Sequence, residues 1–206
     1  MLRQSAEVFM QFSNLARLLS LPLIWLSLQV PSSLANDLTD IESLAKQGNQ
    51  AAQVAAGQAF FTGSMGETDY TKAVRYLKPA AEANHPVAKR LLGLAYLEGK
   101  GVTKDEKFGI NLLNEAAKLK DAEAQYYLGH AFHKGIGVDT NLITAYIWLS
   151  LSSEAHNPHQ ANAQEEVSRI KHILAPGQIE QANAILASLK HLYLQQKAEK
   201  SQAAQQ

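Results

Sequence analysis

The sequence predicts an all-α fold, a solenoid of antiparallel helix pairs, and three observations carry that prediction. The first is a 36-residue period: Ala52, Ala88 and Ala124 are evenly spaced, as are Gly57/Gly93/Gly129, Phe60/Tyr96/Phe132 and Gly63/Gly99/Gly135. The second is that apolar residues inside each period recur at helical spacing. The third is that glycine closes each first helix at the same offset. A register this strict over three copies marks units that each bury their apolar face against a neighbour. Such a chain builds an extended surface rather than one closed pocket, which biases function toward binding.

Residues 1–35 stand outside the repeats and read as a secretory signal peptide. Arg3 and Arg17 precede an apolar stretch from Leu18 to Val30, followed by Pro31-Ser32-Ser33-Leu34-Ala35, and cleavage is expected after Ala35. That stretch has 13 residues, whereas a membrane span needs roughly 18 or more. The expected location is therefore periplasmic or secreted, with an inner-membrane anchor as the alternative. Of 19 basic and 19 acidic residues the segment holds Arg3, Arg17 and Glu7, leaving 17 against 18. A charge so close to balance gives no field for nucleic acid or, once the signal is removed, for a membrane. With no cysteine in the chain, a disulfide framework, a thiolate metal site and a cysteine nucleophile are all excluded. Stability must come from helix stacking.

Residues 36–50 are expected to form an N-terminal capping helix, because Leu38, Ile41, Leu44 and Ala45 lie 36 residues before Val74, Leu77, Ala80 and Ala81. Three repeats follow, over about 51–84, 85–120 and 121–156. The second shows the logic. Ala88, Leu91, Leu92, Ala95 and Tyr96 form the apolar stripe of a first helix, A, which ends in Glu98-Gly99-Lys100-Gly101-Val102. Thr103-Lys104-Asp105-Glu106 has the form of a capping box and is expected to start a second helix, B. Phe108, Leu112, Leu113, Ala116 and Ala117 are its buried stripe, and Gly109, matched by Ala73 and Ala145, predicts close approach of the two helices. The first copy departs from this pattern at Ala56, at Met65-Gly66 and at Pro79. Residues 157–194 read as two C-terminal capping helices, one from about His159 to Leu174 and one opened by Pro176. Residues 195–206, rich in Gln, Ala, Lys and Glu, are expected to fray.

The pattern Ala88-x-x-x-Leu92-Gly93-x-x-Tyr96-x-x-Gly99-x-Gly101-Val102 with later Ala116-Ala117, and its third copy from Ala124 to Trp148, resembles the Sel-one-like repeat, a longer relative of the tetratricopeptide repeat. The resemblance implies a right-handed α/α solenoid. It also implies a non-enzymatic scaffold or adaptor in the bacterial cell envelope, binding an unidentified protein through the concave face.

In tetratricopeptide-like superhelices the helix A positions opposite the core stripe line the concave groove. Here these are Val54/Gln58/Phe61, Arg90/Leu94/Leu97 and Tyr126/His130/His133, the candidate partner-binding set. Phe61, Leu94, Leu97 and Tyr126 would anchor a peptide or helix, and Arg90, Gln58 and the histidines would select it. Alternatively, Phe61 and Leu97 pack beneath the Gly-x-Gly turn as secondary core.

His130/His133 and His156/His159 each have metal-ligand spacing, but neither pair has a third ligand in sequence, so no metal and no cofactor is expected. Glu165-Glu166 are neighbours about 100° apart on a helix and read as a solvated face. Ser152-Ser153 stands where Ala80-Ala81 and Ala116-Ala117 stand, a packing position, and every Gly-x-Gly follows a helix end, so no phosphate loop exists. No catalytic residue is assigned. The alternative function is a cell-wall or small-molecule ligand-binding protein, or a hydrolase, using Tyr126, His130, His133 and Arg90.

Overall fold

The computed structural model describes residues 32–203. The signal-peptide reading falls almost wholly on residues 1–31, outside the described residues. Among the described residues there are nine helices and no strand: α1 (Ser32–Lys46), α2 (Gln50–Thr62), α3 (Tyr70–Glu82), α4 (Pro86–Glu98), α5 (Glu106–Lys118), α6 (Ala122–Lys134), α7 (Leu142–Glu154), α8 (Gln160–Ile173) and α9 (Pro176–Ala203). Helices α2, α4 and α6 are the A helices of the three repeats, and α3, α5 and α7 are the B helices. Each packs on its neighbours in sequence, giving the right-handed solenoid. None of the described helices is long and apolar enough to cross a membrane.

Side-chain and glycine caps fix the register. Asn49 and Asp121 accept the amides of Ala52 and Ala124 at 3.0 and 2.8 Å, while His85 makes no such bond and Pro86, which has no N–H to satisfy, opens α4. Gly63, Gly99 and Gly135 close the A helices in the left-handed conformation, with amides bonded to Ala59, Ala95 and Ala131. The B helices start later than the capping box predicts. Asp105, not Thr103, caps α5 by accepting the Phe108 amide at 3.0 Å, as Asp69 and Asn141 cap α3 and α7. The reason is a tether: the amides of Asp69, Asp105 and Asn141 each donate to Phe60, Tyr96 and Phe132 at 2.9 Å, tying the loop end to the preceding helix and setting the cap there.

Close helix approach is present where it was expected. A Cβ on Gly93 would lie 2.9 Å from the Gly109 carbonyl oxygen, and one on Gly109 would lie 2.7 Å from that of Gly93. The second glycine of the turn serves the contact between repeats. Gly101, at φ +71°, rests against the Tyr70 carbonyl, where any side chain would collide. It seats the turn of one repeat on the first turn of the previous B helix.

The core is a chain of buried alanines and leucines with one fully buried leucine per B helix, Leu77, Leu113 and Leu149. Burying each contributes about 1.5–3 kcal/mol. At the C-terminal end α8 and α9 cover the third repeat with buried Ala163, Ile170, Leu174, Ala182 and Leu186. At its N-terminal end α1 begins at Ser32, ahead of Asn36, where the capping helix was predicted to start. Helix α9 runs through Ala203, beyond the fraying predicted from Gln195. Gln, Ala, Lys and Glu are good helix formers, and α9 is anchored as far along as Tyr193, whose hydroxyl donates to the Ala117 carbonyl at 3.2 Å.

Candidate functional site

Three of the nine residues expected on an open groove are buried. Val54, Arg90 and Leu94 are each 7–8% exposed. Arg90 and Leu94 meet the third repeat, and Val54 belongs to the core shared by the first and second repeats. Leu94 belongs to the core shared by the second and third repeats. Arg90 reaches the start of α6, with Nε 2.9 Å from Asp121 Oδ1, without hydrogen-bond alignment, and Nη2 3.1 Å from Glu123 Oε1. It is an inter-repeat ion pair. Asp121 therefore caps α6 and compensates Arg90 with one carboxylate.

The other six keep some exposure. Gln58 is open to solvent, and Phe61, Leu97, Tyr126, His130 and His133 are half-buried. Phe61 and Leu97 pack against the core, as secondary core beside the turn. Phe61 meets Tyr70 edge-on at 5.5 Å, and the Lys100 ammonium lies 5.8 and 5.1 Å from these two rings. Glu98, 2.5 Å away, raises the Lys100 pKa. At the third repeat Tyr126 stacks on His159 with centroids 4.4 Å apart, and Tyr127 meets both rings. Burial, then the Glu123 charge, pushes the Tyr127 hydroxyl pKa up.

The histidines of α6 are clasped by the terminal cap. His130 Nδ1 lies 2.8 Å from Glu166 Oε1, and His133 Nδ1 lies 2.8 Å from Glu166 Oε2. A carboxylate only accepts, so both rings carry their proton on Nδ1. The Tyr126 hydroxyl adds a third, longer contact at 3.5 Å. Glu166 is thus buried, where the sequence placed it on a solvated face; Glu165 does lie outside, paired with Arg169 at 2.5 Å. Burial alone would raise the Glu166 pKa, and the hydrogen bonds and charges of His130 and His133 outweigh it and bring it to about 2. Among the described residues no group of three ligating side chains is arranged to hold a metal. The contacts of Glu166, Tyr127 and His159 were not legible from the period. Helix α8 lies outside the 36-residue register, so nothing in the spacing says which of its carboxylates turns inward.

A family model described as the Sel1 repeat matches residues 50–85, 86–121 and 122–157. The chain belongs to the Sel1 repeat family. Its proteins are typically protein–protein interaction scaffolds. Among solved structures it is similar to a protective antigen of uropathogenic Escherichia coli strains that displays an SLR fold, at 26% identity and a TM-score of 0.70. That match covers 81% of this chain and 35% of the antigen, so the chain spans about a third of the antigen's length. It is also similar to a Sel1 repeat protein from Oxalobacter formigenes, at 32% identity and a TM-score of 0.54, over 65% of this chain and 98% of the other. No curated protein matches the chain.

Proposed function

We propose that the chain is a non-enzymatic adaptor of the bacterial cell envelope that binds another protein along the face of its A helices. The observation that carries this reading is two clusters of partly exposed rings, Phe61 with Tyr70 and Tyr126 with Tyr127 and His159, the first flanked by exposed Gln58 and by Lys100. Rigid aromatic rings beside a few polar groups are the composition of a protein-recognition surface. Envelope residence rests on the signal-like residues 1–35. The hydrolase reading finds less support: Glu166 holds Nδ1 of His130 and His133 and leaves Nε2 free, as a general base requires, but among the described residues no hydrogen bond joins either Nε2 to a hydroxyl nucleophile. Photocrosslinking from Gln58 in the native compartment tests the adaptor reading, with a protein adduct expected.

A further inference from the structure

The outer face, built by the B helices, carries a groove that recurs with the repeat. In the first two copies a cavity lies between the end of one B helix, at Ala45 or Ala81, and the next, at Tyr76 or Leu112, and the corresponding residues of the third copy are Ala117 and Trp148. The A helix between them contributes Gln53, Lys89 or Gln125. Gln53 and Gln125 donate to the Ala45 and Ala117 carbonyls at 3.4 and 3.2 Å, and in the middle copy Lys89 pairs with Glu115 instead.

The third groove is filled by the chain itself. The Tyr193 hydroxyl of α9 donates to the Ala117 carbonyl, and the Lys120 ammonium donates to the Tyr193 carbonyl at 2.7 Å while lying 4.8 Å from its ring centroid. Ala182, Leu186, Leu189 and Tyr193 make the packed stripe of α9, at i, i+4, i+7 and i+11. Two flanking contacts, Tyr146 Oη to Asn183 at 3.2 Å and Lys190 to Glu154 at 2.6 Å, fix its direction along α7.

The groove between α3 and α5 has the same frame and stands open. The Ala81 carbonyl accepts the Asn84 amide at 3.0 Å as the Ala117 carbonyl accepts that of Lys120, and Asn84 and Lys120 share the left-handed conformation, φ 63° and 69°. At the corresponding place there is a cavity of about 370 Å³ with an apolar floor of Ala81, Leu92, Tyr96, Phe108 and Leu112 and a charged rim of Lys78, Glu82 and the Lys89–Glu115 ion pair. Phe108 is 43% exposed at its rim.

We propose that this groove docks one amphipathic helix of a partner protein, seated as α9 is seated on α5 and α7. Its tyrosine hydroxyl donates to the Ala81 carbonyl, and its aliphatic side chains cover Phe108 and Leu112. The occupant is a partner rather than a second copy's α9, because each copy holds its own α9 at the high effective concentration of an intramolecular contact. The site lies on the B-helix face and does not rest on the A-face reading. The probe is a synthetic peptide of residues 179–196, titrated into the ¹⁵N-labelled full chain. Saturable shifts are expected at the Ala81, Phe108 and Leu112 amides. They should weaken about tenfold or more with Phe108→Glu in the chain, and likewise with Tyr193→Ala in the peptide. No shift there at about 1 mM peptide, or shifts confined to Ala117, Gln125 and Trp148, would overturn the proposal. If the Phe108 variant fails to fold, the comparison of the two peptides decides alone.

Discussion

Glu166 ties the terminal cap to both histidines of α6. Its folded pKa, about 2, lies below the ordinary 4.5, so the stabilisation it contributes is present above pH 4.5 and is lost as pH falls toward 2. The shift corresponds to about 3 kcal/mol. Urea unfolding of the wild type should show stability falling across that window, and Glu166→Gln should flatten the fall while lowering stability at neutral pH. An unchanged acid limb in the variant would mean that His130 and His133 do not hold this carboxylate in solution. Arg90 makes a related point. From sequence it is a cation on a groove, yet its place in the stack beside Asp121 and Glu123 makes it part of the joint between repeats.

At the scale of the helix, Gly93 and Gly109 set how closely α4 and α5 pack. Gly93→Leu forces side-chain volume against the Gly109 carbonyl and Leu113 and should cost about 1 to 3 kcal/mol. Thermal denaturation would show it, and an unchanged melting temperature would count against the register. The helices themselves were legible because period, stripe and glycine closure all repeat. Start points were less so. The capping box at Thr103 competes with an Asp105 cap whose amide is tied to Tyr96, and only the folded turn decides between them. The burial of Val54, Arg90 and Leu94 was illegible for a further reason. A helical wheel gives the face a residue lies on, but the inter-repeat rotation decides what that face meets.

For the whole molecule, the third repeat depends on its cap. Deleting residues 155–206 would remove Ala163, Ile170, Leu174, Ala182 and Leu186 and bare the apolar edge they cover. The truncated chain should aggregate, as seen by light scattering, because an uncapped solenoid exposes core. A soluble, monomeric truncation would place the cap elsewhere. The adaptor reading is tested most directly by a photocrosslinker at Gln58 in the full chain, in its native compartment. It predicts one dominant protein adduct, lost with Ala55→Arg, an exposed position one turn earlier on the same helix. A folded, correctly localised chain that gives no protein adduct would contradict it.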